Sequence, residues 1–167
     1  PSPDCIARAR LPRWLLPAHW PQTTDGPALA DLHLHAGHIA RIAPHDAAAP
    51  APTGTRWDLA GALALPGLVD AHTHIDKTFT LPRMGTVMPG LLGAIEAMMA
   101  DRVTWTPADV RQRASRALQW AFEAGTTHLR SHCDWWEPDA QPVGWGVLRE
   151  LAGEWAGRIT LERVSLI

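Results

Sequence analysis

The sequence predicts an α/β fold in which parallel strands alternate with helices after residue 62. The first observation is an apolar run at residues 63–69, which has the composition of a strand buried on both faces, as in a parallel sheet. The second is that strong helical patterns and further strand patterns follow it in alternation. Strand, helix, strand, helix, strand is the order of a right-handed (β/α)8 barrel, and we expect residues 63–167 to form the first part of one.

The predicted barrel is incomplete. A (β/α)8 barrel typically takes about 250 residues, whereas the whole chain has 167. The chain also begins at Pro1 without an initiator Met and stops within a strand pattern, Arg158–Ile167. We therefore expect a fragment, or one piece of a longer enzyme.

Residues 1–62 predict a small β-rich region in front of the barrel. Short apolar strand patterns flank the turn at residues 36–38, which is a hairpin signature. The stretch Ala47–Gly54 is rich in Ala and Pro and predicts a loop or linker. Residues Trp57–Gly61 are expected to lead from there into the first barrel strand.

The clearest helix pattern follows Thr106, which is a good N-cap residue. Asp109 stands at the capping-box position, and Gly125 marks the end of the helix. Apolar residues at helical spacing predict its buried stripe: Val110, Ala114, Ala117, Leu118 and Ala121.

Two further helices are predicted around it. Residues 89–101 have apolar side chains at helical spacing, although two glycines weaken the pattern, and we expect a core or lid helix there. A third helix runs from about Val143 to Ala156 and stops at Gly157, and it feeds the terminal strand pattern.

Composition excludes several classes of function. With 46% hydrophobic and 19% charged residues and a formal net charge of −2, the chain is of an ordinary globular type without a basic block for nucleic acid. No apolar run approaches the roughly 20 residues of a membrane span, and no signal-peptide pattern is present. The two cysteines, Cys5 and Cys133, are too few for a disulfide framework, so we expect a cytoplasmic protein.

Two histidines one residue apart, His72 and His74, end the apolar run. Alternate side chains of a strand share a face, so both imidazoles can reach one metal ion. Catalytic groups of a (β/α)8 barrel lie at the C-terminal ends of its strands, which is where this pair falls. The alternative is a pair of surface imidazoles on a strand edge, which would leave polar groups at the end of a buried strand without partners.

Two segments resemble the metal-dependent amidohydrolase superfamily. LPGLVDAHTHIDK, residues 65–77, is similar to its first barrel strand, PG-F/L-I/V-D-x-H-x-H, and the HxH-I/L-D-K form is closest to the cytosine deaminase branch. GTTHLRSHCD, residues 125–134, resembles the next strand of that branch, G-T/V-T-x-x-R-S/T-H-x-D. The resemblance implies a (β/α)8 barrel, with residues 1–62 as the N-terminal part of a small β-sandwich domain.

The resemblance also implies a chemistry. His72 and His74 would bind one divalent metal ion, zinc or iron, which lowers the pKa of a coordinated water toward 7. The resulting hydroxide would deaminate a small nitrogen heterocycle hydrolytically, with the help of a general acid/base. In the resembled family that acid/base Glu and the other ligands come from later strands, so we expect no catalytic residue before Ile167. Lys77 is not placed like the bridging lysine of binuclear relatives.

Four more residues are candidates for contacting the substrate or orienting the metal ligands: Asp76, Lys77, His132 and Asp134. For Asp76 and Lys77 the alternative is a surface ion pair. For His132 and Asp134, which the resemblance implies lie near the pocket, the alternative is structural packing. Cys133 is expected to be a small core residue.

Other histidines and tryptophans carry less weight. His33-Leu34-His35 repeats the His-x-His spacing, but its neighbours alternate like the core face of a half-exposed strand, so these histidines are expected to face water. Trp135 and Trp136 are expected either to wall the pocket of a flat substrate or to pack under the loop. A stacking platform for nucleic acid is not supported without a basic stripe.

The sequence therefore predicts the N-terminal portion of a cytosine deaminase-like hydrolase acting on C–N bonds other than peptide bonds. The full-length enzyme is expected to be a homo-oligomer, and this portion alone is expected to be inactive. One alternative is a cyclic-amide hydrolase of the same superfamily. Another is a truncated, non-catalytic chain that acts as a binding or assembly module.

Overall fold

The computed structural model describes residues 2–21, 26–50, 54–137 and 139–166, which divide into two compact units, Pro1–Pro66 and Gly67–Ile167. Part of the predicted linker, residues 51–53, lies outside the described residues.

The first unit is a four-stranded sheet with the spatial order β3-β2-β1-β4. The predicted hairpin is confirmed: β2 and β3 pair antiparallel, and positive φ angles at Ala36 (50°) and Gly37 (79°) form the turn between them. Its buried core is Ala9, Leu11, Ala30 and Leu32. The strands are β1 (Cys5–Leu11), β2 (Ala28–His35), β3 (His38–Pro44) and β4 (Arg56–Asp58).

The expected path into the barrel strand differs from the structure at one point. Trp57 and Asp58 belong to β4, which pairs parallel with β1 in the first sheet. Hydrogen bonding explains this placement, because the Asp58 carboxylate accepts from the Arg8 guanidinium at 2.7 and 2.8 Å and thereby ties β4 to β1.

The second unit is a mixed α/β structure with a three-stranded parallel sheet in the order β5-β6-β7. Helices α2 and α3 pack on each other, α2 against β6 and α3 against β7. Its strands are β5 (Leu68–Thr73), β6 (Thr126–Asp134) and β7 (Thr160–Leu166), and its helices are α1 (Leu91–Arg102), α2 (Pro107–Glu123) and α3 (Val143–Glu154).

Helix α2 forms where the capping pattern predicted it. The Thr106 side chain accepts a hydrogen bond from the backbone N–H of Asp109 at 3.2 Å, and Gly125 adopts a φ of +86° just beyond the helix. Three residues of the predicted stripe, Val110, Ala114 and Leu118, are fully buried, and the other two are partly buried against the same core. This stripe is the face of α2 that packs into the core shared with β6 and α3.

The predicted strand at residues 63–69 is wrong in extent and in burial. The strand begins at Leu68, and Leu63, Leu65 and Val69 are each more than half exposed. Within the described residues β5 lies at an edge of the sheet and pairs with β6 alone. A strand is buried on both faces only when neighbouring elements cover it, and the two packed helices cover β6 and β7 instead.

The predicted helix at 89–101 is present as α1, but it is not a core helix among the described residues. Met98 is its one buried residue, and Leu91 and Leu92 are both 76% exposed. Among the helices of the described chain, none has the length and apolar character needed to cross a membrane.

Candidate metal centre

The carboxyl ends of β5 and β6 bring three histidines together. Since the strands are parallel and Thr73 pairs with Ser131, the residues that follow them meet at one edge of the sheet. The ring of His72 lies 5.3 Å from that of His74 and stacks on that of His132 at 3.9 Å, measured between ring centroids. The rings of His74 and His132 are 5.7 Å apart.

His74 has a buried ring nitrogen without a partner among the described residues. Its Nδ1 is buried without a hydrogen-bond partner in the described part of the chain, and it lies 3.9 Å from Asp134 Oδ1, beyond hydrogen-bond range. Burial, and to a lesser degree the Lys77 charge, lowers the pKa of His74 below its ordinary value. A neutral imidazole with an unpartnered nitrogen is the form that binds zinc or iron.

The donor set is nevertheless partial. In residues 2–21, 26–50, 54–137 and 139–166, no three His, Cys, Asp or Glu side chains are arranged to hold a metal ion. His72 and His74 fit a metal site as two of its ligands, since a catalytic zinc takes three protein ligands and keeps an open position.

Lys77 and Asp134 form an ion pair across the strand ends. Lys77 Nζ donates to Asp134 Oδ2 at 2.5 Å, and both side chains are largely shielded from solvent. The structure therefore does not contain the surface ion pair that was the alternative for Asp76 and Lys77, because Lys77 pairs with Asp134 instead. Lys77 instead connects the loop after β5 to the end of β6.

Asp76 is buried, with 4% of its surface exposed. Desolvation raises the pKa of its carboxyl to about 6, while the neighbouring Lys77 charge acts in the opposite direction. Its Oδ1 has no hydrogen-bond partner among the described residues. A Cβ added at Gly144, in the first turn of α3, would lie only 2.9 Å from the Asp76 Cβ, so the close approach of the two segments requires glycine.

A cavity of about 290 Å³ opens beside Asp76, Lys77 and Asp134. Its walls come from the end of α1 with the turn after it, and from the loop between β6 and α3. The wall residues are Met98, Arg102, Val103, Trp105, Glu137, Ala140, Gln141, Pro142, Val143 and Gly144. The described residues that line this cavity include none of the three histidines, but Asp134, which does line it, lies 3.9 Å from His74.

The two adjacent tryptophans are not among the residues lining that cavity. Trp135 packs edge-on against Trp145, with ring centroids 5.4 Å apart, and Trp136 is 47% exposed. Trp135 thus contacts helix α3. Cys133 is a core residue as predicted, and burial raises the pKa of its thiol to about 12, so it stays protonated.

Two residues that hold the site were not predicted from the sequence. Ser131, fully buried on the helix side of β6, accepts a hydrogen bond from the Ile75 backbone N–H at 3.2 Å. Arg113 on α2 donates to backbone carbonyls of the same loop. A signal for Arg113 existed, because it stands three residues after Val110 and four before Ala117 and so falls on the apolar face of the helix.

Comparison with known proteins agrees with this architecture. The pattern that defines the amidohydrolase family matches residues 57–164. Since that match spans most of the chain, the chain belongs to the amidohydrolase family.

Individual relatives are more specific. A pterin deaminase from Rhizobium rhizogenes is 29% identical over 162 residues, which cover 96% of this chain and 36% of that protein. The crystal structure of 5-methylcytosine deaminase from Klebsiella pneumoniae with 5-fluorocytosine superposes with a TM-score of 0.74 at 32% identity, over 96% of this chain and 36% of that one.

A third relative is an isopropylaminohydrolase. The structure of N-isopropylammelide isopropylaminohydrolase from Burkholderia multivorans superposes with a TM-score of 0.67 at 30% identity, over 97% of this chain and 37% of that one. The present chain therefore spans little more than a third of the length of the relatives it matches.

Proposed function

We propose that the full-length protein is a metal-dependent hydrolase that deaminates a nitrogen heterocycle, with His72 and His74 as two of its metal ligands. The observation that carries the proposal is the side-by-side placement of these imidazoles at a strand end, with a buried and unpartnered nitrogen on His74. We further propose that residues 63–167 begin a (β/α)8 barrel and that residues 1–62 contribute to a β-sandwich. The other ligands and the general acid/base would then come from a longer chain.

A bound divalent cation would supply a water whose pKa lies near 7, and hence a nucleophile at neutral pH. The residues around it have separate roles in this proposal. Asp134 binds the Lys77 ammonium and so orients a substrate-binding group, and its other oxygen lies 3.9 Å from His74 Nδ1. His132 stacks on His72 and restricts the rotation of that ring.

Asp76 is proposed to bind the heterocycle. Lys77 is paired to Asp134 and Arg102 to Glu137. Among the described residues that line the cavity, Asp76 is the carboxyl with a buried oxygen that lacks a hydrogen-bond partner. A ring N–H or an exocyclic amino group would satisfy that oxygen, and a buried acceptor gains most from such a donor. Amino-substituted rings are therefore the favoured substrates.

The related enzymes support a deaminase over the alternatives. Two of the three relatives described above are a pterin deaminase and a 5-methylcytosine deaminase, and the third is an N-isopropylammelide isopropylaminohydrolase. Cyclic-amide hydrolysis uses the same chemistry on a different bond and remains the second enzymatic candidate. If the full-length protein has neither bound metal nor turnover, the third alternative, a non-catalytic binding module, is favoured.

The test uses the complete gene product rather than residues 1–167. Metal content is measured by mass spectrometry of the purified protein, and release of ammonia or amine is measured with pterin, 5-methylcytosine and N-isopropylammelide. We expect about one zinc or iron ion per chain, turnover of at least one ring, and loss of turnover on chelation that the same metal restores. A metal-free protein that is inactive on all three rings after zinc and iron addition would contradict the proposal.

A further inference from the structure

We propose that Arg113 is a positioning residue that sets the width of the cavity beside the metal centre, an inference that rests on the proposed function. One buried guanidinium contacts both the loop that carries Asp76 and Lys77 and Trp105, another residue that lines the cavity. Arg113 is not among the described residues that line the cavity, and its hydrogen bonds and its ring contact among the described residues do not join it to the three histidines. It therefore acts through other residues.

The first contact is with the loop after β5. Arg113 is only 6% exposed, and its Nη1 donates to the backbone carbonyl oxygens of Asp76 and, at 3.1 Å, of Thr78. These carbonyls flank Lys77, whose side chain lines the cavity. One donor group thus fixes the direction of the backbone on both sides of a cavity residue.

The second contact is with Asp109, one turn earlier on α2. Arg113 Nε and Nη2 donate to its Oδ2 at 3.2 and 2.9 Å, and Arg83 donates to the same carboxylate at 2.7 and 3.1 Å. These hydrogen bonds hold the pKa of Asp109 down at about 2. The carboxylate neutralises the buried guanidinium and leaves Nη1 free to point at the loop.

The third contact is with Trp105, in the turn after α1. The guanidinium carbon of Arg113 lies 4.8 Å from the centroid of the Trp105 ring, which lines the cavity. The Trp105 Nε1–H donates to Asp101 at 2.7 Å, and Asp101 in turn accepts from Arg83 at 2.8 and 2.9 Å. A continuous chain of hydrogen bonds and ion pairs therefore connects the loop after β5 to Trp105. It runs through Arg113, Asp109, Arg83 and Asp101.

Arginine is required at this position because of its geometry. A planar guanidinium presents five donors in a rigid fork and also stacks on an aromatic face. A lysine at position 113 retains the charge and can reach one of these partners, but it cannot bind the carbonyls, Asp109 and the Trp105 ring together. Arg113→Lys is therefore expected to position the loop partly, and Arg113→Met not at all.

The experiment compares these variants with Arg111→Met in the full-length protein. Arg111 is a matched control, because it lies on the same helix and its ion pairs reach Glu150 and Glu154 on α3 instead of the loop. The measurements are amide hydrogen exchange at residues 76–79, bound metal per chain, and kcat and KM with pterin or 5-methylcytosine, whichever the wild type turns over faster.

We expect Arg113→Met to speed exchange at residues 76–79 by about tenfold or more and to lower kcat/KM by a similar factor, with metal content unchanged. Arg113→Lys should fall between Arg113→Met and the wild type, and Arg111→Met should stay within about twofold of the wild type. Unchanged metal with reduced kcat/KM distinguishes positioning of the cavity from general loss of folding, because unfolding would release the metal as well.

The inference is overturned if exchange at residues 76–79 in Arg113→Met stays within twofold of the wild type, or if kcat/KM per metal-bound chain does. If Arg113→Met does not fold, the same criteria apply to Arg113→Lys with a threshold of threefold. Inactivity of the wild type would defeat the proposed function instead, and hydrogen exchange would then decide by itself whether Arg113 positions the loop.

Discussion

The two His-x-His segments of this chain have the same spacing and opposite surroundings. His33 and His35 lie on β2, an antiparallel strand of a hairpin, where His35 is exposed and His33 Nε2 is 2.8 Å from the Arg41 guanidinium. His72 and His74 lie at the end of the parallel strand β5, beside His132, Asp134 and the Lys77 loop. Spacing alone makes both pairs candidates for a metal.

What separates the pairs is the direction of the neighbouring strand. In an antiparallel hairpin the end of one strand meets the start of the next, so β3 brings His38 and Arg41 to the first pair. In a parallel sheet the carboxyl ends coincide, so β6 brings an imidazole and a carboxylate to the second pair. Of the two pairs, it is the second that has an imidazole, a carboxylate and an ammonium from other segments around it among the described residues.

The largest expected effect comes from removing the imidazoles themselves. His72→Ala or His74→Ala in the full-length protein should abolish stable metal binding and lower turnover by about 1,000-fold or more, because the remaining donors cannot hold the ion. The measurements are metal content and kcat on the rings named above.

The matched control is the double substitution His33→Ala and His35→Ala, which should leave metal content and turnover within about twofold of the wild type. Equal losses of bound metal in the variants of both pairs would contradict the assignment of the metal site to His72 and His74.

A smaller effect is expected at Asp134. Asp134→Asn keeps the shape of the side chain but removes the charge that binds Lys77 and faces His74. Loss of such a supporting carboxylate typically costs about 10- to 100-fold in metal affinity or activity, and we expect a value in that range. The measurements are metal affinity, by competition with a chelator, and kcat.

Asp58→Asn is the control for Asp134→Asn. Asp58 also forms an ion pair, with Arg8 in the first unit, and its replacement should change neither metal affinity nor turnover. Wild-type metal affinity and kcat in Asp134→Asn would show that the Asp134 carboxylate has no role in the proposed site.

The smallest effect concerns acid. Arg83 and Arg113 hold the pKa of Asp109 at about 2, below its ordinary value near 3.9. A depressed pKa contributes stability that is complete above about pH 4 and is lost as the pH falls toward 2. Asp109→Asn should therefore be less stable than the wild type at pH 5, with the difference shrinking toward pH 2. Urea unfolding at both pH values measures it.

If the free energies of unfolding of the wild type and Asp109→Asn differ by the same amount at pH 5 and pH 2, the charge of Asp109 does not contribute to stability. Amide exchange at residues 34–38, next to the first pair, should be unaffected by Asp109→Asn at either pH, because the network contacts only segments of the second unit.

Local patterns predicted much of the secondary structure. The caps at Thr106 and Gly125, and the turn at Ala36 and Gly37, act over a few residues, and both elements formed where these signals placed them. The strand predicted at residues 63–69 is present as β5, but its extent and burial differ from the prediction, because burial depends on neighbours that are distant in the sequence. The same apolar run is exposed here, since α2 and α3 pack over β6 and β7.

The sequence by itself determined the family, the alternation of strands and helices, and the candidate residues His72, His74, His132 and Asp134, because strand periodicity and motif spacing are local properties. Only the tertiary structure decided which of them meet, that Lys77 pairs with Asp134, and that Arg113 reaches both the loop after β5 and Trp105. The ion pair of Lys77 with Asp134 and the hydrogen bonds of Arg113 to the loop after β5 join residues that are 35 to 57 positions apart. The packing of α2 and the register of β5 with β6 set those distances, and no local pattern encodes them.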